Sequence, residues 1–184
     1  MSLRTACGLT LCAVLFVVAP AAAQQSESYT FTLGLTGGVG GSLDADEPEP
    51  GLGEPALQLV AGMVTAERTI VSVRAGRIDL EGDTGFERFA TADLEFVNVA
   101  GEYHFPQSFY VYGIYLGIGY YKLSGELRSG GDDHEQDVGL VLGMTGDFDV
   151  TRHISVIGEI SGHYAFLDDA NLFTMASVGV AVHF

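Results

Sequence analysis

Eight stretches of this chain alternate large apolar side chains with small or polar ones at every second position. The three- and four-residue spacing of an amphipathic helix is almost absent. A strand points successive side chains to opposite faces, so the pattern specifies β-structure with one apolar face per strand. The expected strands are Ser28–Val39, Leu57–Thr65, Ile70–Asp79, Val97–Phe105, Tyr110–Lys122, Val138–Phe148, Ile154–Phe166 and Leu172–Phe184. The fifth, "YVYGIYLGIGYYK", states the pattern most fully. Tyr110, Tyr112, Ile114, Leu116, Ile118 and Tyr120 form one face, and Gly113, Gly117 and Gly119 occur on the other. The third is the least regular, because Arg77 falls on its apolar face, past the edge of any membrane it crosses.

The connections alternate in length. Short links fall at 66–69, 106–108 and 149–152. Between them lie "GGSLDADEPEPGLGE", "EGDTGFERFATADLE" and "SGELRSGGDDHEQD", acidic and long, and a shorter "LDDAN". Short and long links taking turns describe an up-and-down meander with the long loops at one end. Both termini of the meander then lie at the short-turn end.

The first 23 residues read as an export signal. Arg4 supplies the positive start, Ala6 to Ala19 the apolar run, and Ala21 and Ala23 the small residues before a cut ahead of Gln24. That run is too short for a spanning helix. Cys7 and Cys12 both lie in this segment, so residues 24–184 carry no disulfide framework, thiolate nucleophile or Cys metal site. Losing Arg4 changes the formal charge from -16 to -17, 7 basic against 24 acidic residues. That balance argues against a nucleic-acid partner. A mean hydropathy of +0.27 beside so much acid requires the two residue types to be segregated along the chain.

Alternation alone does not say which face is inside, since a soluble barrel turned inside out keeps the same pattern. Four features favour the apolar face outward. Tyr120 lies ten residue steps beyond Tyr110, about 33 Å of strand at 3.3 Å per residue, which a tilt of about 40° projects to about 25 Å, the height of a barrel's lipid-facing band. Tyrosines at both ends suit the two membrane boundaries. The opposite face is crowded with glycine and small polar residues, as the narrow interior of eight strands requires. Short turns at one end and long loops at the other match the two ends of an outer-membrane barrel, and the chain ends on Phe184 after Val178, Val180 and Val182.

On "YVYGIYLGIGYYKLSGE", "VGLVLGMTGDFDVTRHISVIGEISGHY" and "MASVGVAVHF", the chain resembles small eight-stranded outer-membrane barrels, the broad family of OmpA-type membrane domains, OmpX and OmpW-like proteins. The resemblance covers essentially all of residues 24–184. It implies an all-β, antiparallel transmembrane barrel in the outer membrane. It also implies contact with outer-membrane lipid and lipopolysaccharide, and an insertion signal at Val178, Val180, Val182 and Phe184 read by the assembly machinery. A monomer is expected.

Alternation sends Arg74, Asn98, Glu102, His104, Tyr115, Asp147, Glu159 and His163 inward. Arg74 and Glu102 lie on adjacent strands, and Glu159 is a second partner for the arginine. The favoured reading is a charge network that fills the lumen and satisfies itself; the alternative is a gated polar path. Tyr110, Tyr112, Tyr120 and Tyr164 are the expected aromatic girdle. "RHIS", Arg152–Ser155, contains the His-x-Ser pair of an eight-stranded lipid A deacylase, but lies at the short-turn end, away from the outer leaflet, so catalysis there is not expected. "DADEPEP" and "GGDDHEQD" lack the ligand spacing of a calcium loop, so solvated acidic loops are expected, with weak divalent bridging to lipopolysaccharide phosphates as the alternative. No metal, cofactor or enzymatic activity is expected. The expected role is structural or surface-interacting in the envelope, and the alternative a narrow porin-like channel for small solutes.

Overall fold

The computed structural model describes residues 30–43, 53–80, 89–107, 110–168 and 171–184. The signal segment expected over 1–23, the acidic stretch 44–50 and residues 28–29 of the first expected strand lie outside these. Eight strands follow one another: β1 (Phe31–Ser42), β2 (Glu54–Ala66), β3 (Thr69–Leu80), β4 (Phe89–Pro106), β5 (Val111–Leu127), β6 (Asp132–Asp149), β7 (Ile154–Ala165) and β8 (Leu172–His183). Each pairs antiparallel with the next, and β1 pairs with β8 from Thr32↔His183 to Ser42↔Phe173, so the sheet closes on itself. Closure removes the free sheet edges that would otherwise expose unpaired backbone groups. At the short-turn end Thr30 N–H donates to the Phe184 carbonyl at 2.7 Å, bringing the two ends of the described barrel together.

The apolar face is outside. Leu116 and Ile118 are 62% and 68% exposed, and Leu35, Leu59, Val99, Leu142 and Val180 are also turned out. Such a continuous apolar wall needs lipid rather than water.

Three strands run five residues or more past an end that the alternation indicates. β4 begins at Phe89 rather than Val97, β5 continues past Lys122 to Leu127, and β6 begins at Asp132 rather than Val138. Of the expected loop "EGDTGFERFATADLE", residues 89–95 are strand. The expected loop "SGELRSGGDDHEQD" is a hairpin whose pairing runs unbroken to Glu126↔Asp132. Its four-residue turn places Gly130 and Gly131 at φ 89° and 94°, where a side chain would be strained. Leu127 N–H donates to the Gly131 carbonyl at 2.8 Å across it.

The physical reason is a change of phase. Outward positions in β5 read Ile114, Leu116, Ile118, Tyr120 and then Lys122 and Glu126, while inward positions change from Gly117 and Gly119 to Tyr121 and Leu123. β4 changes at the same level, with Glu95 and Asp93 outward and Phe96 and Leu94 inward, and so does β3, with Arg77 and Asp79 outward and Ile78 and Leu80 inward. Beyond that level the wall faces water and the barrel has an ordinary apolar inside. Arg77 there pairs with Asp79 at 2.6 Å and Asp93 at 2.7 Å, and Lys122 lies 3.5 Å from Glu95.

Candidate functional site: a layered lumen

The lumen is filled in three layers. At the centre stands Arg74, 1% exposed. Its Nη2 donates to Glu102 Oε2 at 2.7 Å and its Nε to Glu159 Oε2 at 3.2 Å. A further guanidinium N–H bonds the Ser72 hydroxyl, and the guanidinium lies 3.8 Å from the centre of the Tyr115 ring. Tyr115 donates its hydroxyl to Glu159 Oε1 at 2.6 Å, and Gln58 donates its amide to the same oxygen at 3.0 Å. Glu102 Oε1 accepts from Thr145 at 2.6 Å and lies 2.8 Å from His104 Nε2. Side chains from β2, β3, β4, β5, β6 and β7 thus meet across the barrel axis. One cation held by two carboxylates that are themselves hydrogen-bonded is the arrangement that lets charges persist away from water.

Glycine makes this layer possible. A methyl group added at Gly143 would fall on the Tyr115 ring, and one at Gly119 on the Asn98 side chain. At Gly113 it would lie 2.7 Å from Glu102 Oε1.

The second layer lies toward the long-loop end and is apolar. Ile78, Leu80, Phe89, Leu94, Phe96, Leu123, Phe173 and Met175 are buried together and cap the charged layer. His163 belongs to the boundary between the two rather than to the Arg74 network. Its Nδ1 lies 3.1 Å from the Tyr121 hydroxyl, its Nε2 2.9 Å from Ser161 Oγ, and its ring 4.7 Å from that of Phe96. Asn98 is fully buried near this boundary, and its amide makes no hydrogen bond among the described residues.

The third layer is the short-turn mouth, and it takes Asp147 away from the central network. Asp147 Oδ2 lies 3.6 Å from His183 Nε2. His183, 2% exposed, also has Ser155 Oγ 2.8 Å from Nε2 and Thr32 Oγ1 3.0 Å from Nδ1. The serine and the aspartate both approach Nε2, while Nδ1 belongs to a threonine. A Ser-His-Asp relay needs its carboxylate on the other nitrogen, so this trio is not arranged for nucleophilic attack. His153 of "RHIS" is exposed and its Nδ1 lies 3.3 Å from the His183 carbonyl. A cavity of about 50 Å³ separates the mouth from the central layer, with Thr32, His104, Asp147 and Glu159 in its wall.

Ser72, Gln58, Thr145 and His183 join these layers without having been candidate site residues in the sequence. Each sits at an inward position of its strand, and the lone polar residue inside "ALQLVAG" is the available signal for Gln58.

On the outer wall, Tyr110, Tyr120 and Tyr164 are about half exposed, and Tyr112 is half-buried with its ring stacked on Phe105 at 4.8 Å. Tyr120 and Tyr164 lie toward the long-loop end, and Tyr110 and Tyr112 at the short-turn end. Val178, Val180 and Phe184 face outward on or just beyond β8, with Val182 less exposed.

No curated protein matches the chain. Among solved structures, Neisserial surface protein A (NspA) superposes with a TM-score of 0.68 at 14% identity, covering 86% of this chain and all of that one. A major outer membrane protein of Thermus thermophilus gives 0.61 at 14% identity over 86% of this chain and all of its own. The N-terminal β-barrel domain of Pseudomonas aeruginosa OprF gives 0.60 at 12% identity over 85% of this chain and all of that domain. At these identities the likeness establishes the fold. The model of the outer membrane protein beta-barrel domain matches residues 9–184, and the chain belongs to that family of outer-membrane barrels.

Proposed function

We propose that the protein is a sealed, non-enzymatic barrel of the outer membrane, serving a structural or surface-interacting role rather than conducting solutes. One observation carries this reading: the lumen is stopped twice, by an ion-paired layer around Arg74 and by the apolar cap of Ile78, Leu80, Phe89, Leu94, Phe96, Leu123, Phe173 and Met175 beyond it. A solute that displaced Glu102 or Glu159 from Arg74 would still meet a dry apolar layer, where an unpaired ion is costly. In this reading Tyr110, Tyr112, Tyr120 and Tyr164 form the girdle against outer-membrane lipid and lipopolysaccharide, and Val178, Val180, Val182 and Phe184 present the insertion signal. The extended β4–β6 wall, polar outside, is the part offered to the surroundings. The barrel acts as a monomer.

A second reading, a narrow channel, is favoured by the cavity of about 50 Å³ and by the Gln58 and Asn98 amide atoms that lack partners among the described residues. Planar-bilayer recordings of the purified, refolded protein separate the two. The sealed barrel gives no stepwise current above the bare membrane, and reproducible unitary steps would replace it with the channel.

A further inference from the structure

The short-turn mouth holds three groups that the charge network does not use. We propose that Asp147, Asp149 and His183 form a binding site for a divalent transition metal of the zinc class. One donor atom from each lies within 4.8 Å of the others. Asp147 and Asp149 are two apart on β6 and so share its inward face, and His183 reaches them from β8 across β7.

Two details point to a cation rather than to a simple ion pair. His183 Nε2 and Asp147 Oδ2 stand 3.6 Å apart, too far for a hydrogen bond. That gap is close to the spacing of about 3.4 Å between two donors on one tetrahedral ion at zinc–ligand distances. The other carboxylate oxygen, Asp147 Oδ1, is buried without a hydrogen-bond partner among the described residues. A polar atom left so is costly unless something else meets it.

The imidazole is also held as a ligand should be. Thr32 Oγ1 lies 3.0 Å from Nδ1, a partner that can hold the ring proton on that nitrogen and leave Nε2, which faces Ser155 and Asp147, to act as the ligand atom. Metal binding at Nε2 replaces the present contact with Ser155 Oγ and frees that hydroxyl to turn to Asp147. Asp149, at the exposed end of β6, offers the third ligand atom within the same 4.8 Å. A water from the adjoining cavity takes the fourth position. One imidazole with two carboxylates selects the zinc class over calcium and magnesium, which favour oxygen-only sets. The bound ion would tie β6 to β8 beside the closing seam.

The test is a calorimetric zinc titration of the untagged, signal-free protein refolded in detergent micelles. One equivalent should bind with micromolar or tighter affinity, undisturbed by millimolar calcium or magnesium. His183→Gln and Asp147→Asn should each weaken it at least about tenfold. His134→Gln, in the acidic hairpin at the opposite end, should leave it unchanged. No saturable binding, binding that survives His183→Gln and Asp147→Asn, or binding lost with His134→Gln would each overturn the proposal. Should a variant fail to refold, amide and imidazole spectra of the wild-type protein decide. Zinc-induced shifts centred on Asp147, Asp149 and His183 support the site, and shifts centred elsewhere reject it.

Discussion

The Arg74 guanidinium is almost fully buried, so its charge must be met inside the barrel. Glu102 and Glu159 meet it, and they in turn depend on it, with His104 Nε2 at 2.8 Å as a further partner of Glu102. Arg74→Met should therefore cost about 3–5 kcal/mol, read as a lowered urea midpoint in refolded samples. Adding Glu102→Gln and Glu159→Gln to that variant should recover most of the loss, because the uncompensated charges are then gone. A triple variant no more stable than Arg74→Met alone would show that the arginine acts by packing, chiefly against Tyr115, and not by charge. These three residues were legible as inward positions on their strands. Which of them touch was less so, because Arg74 and Glu159 lie on β3 and β7 and meet only once the barrel has closed.

At the scale of the strand, the seam between β1 and β8 decides whether a barrel exists at all. A Cβ added at Gly179 would run into the Leu35 carbonyl and the Thr36 Cα, and one added at Gly38 would come within 2.5 Å of the Ser177 Cα. These are backbone atoms and cannot swing aside as a long side chain does. Gly179→Val should thus prevent refolding to the compact form, seen as loss of the faster-migrating unheated band on a gel. Gly162→Ala should refold normally, since a Cβ there meets nothing within 4 Å. A Gly179→Val protein that still migrates as the compact form would show that the seam can open to accept a side chain. Strand identity was legible from two-residue alternation wherever lipid lay on one side, as in Tyr110–Tyr120 and Val138–Met144. It failed at Phe89–Phe96, Leu123–Leu127 and Asp132–Asp137. Past the membrane border the polar residue moves to the outer face, so Asp93, Glu95 and Glu126 read as loop composition while their backbones pair regularly. Arg77, the irregular residue of the third strand, marks that border.

For the whole molecule, the outer wall should meet lipid up to Tyr120 and water from Lys122 onward. The apolar cap inside and the polar outer wall of β3, β4 and β5 both follow from that single change of solvent. The chain contains no tryptophan, so a single introduced indole reports its own surroundings. Leu116→Trp and Ser124→Trp both point outward on β5, eight residues apart on opposite sides of the proposed border. The direct measurement is tryptophan emission of each variant, refolded into bilayers whose acyl chains carry bromine quenchers. Leu116→Trp should emit at short wavelength and be strongly quenched, while Ser124→Trp should emit as in water and be quenched little. Equal quenching at both positions, or quenching at Ser124→Trp alone, would contradict the account.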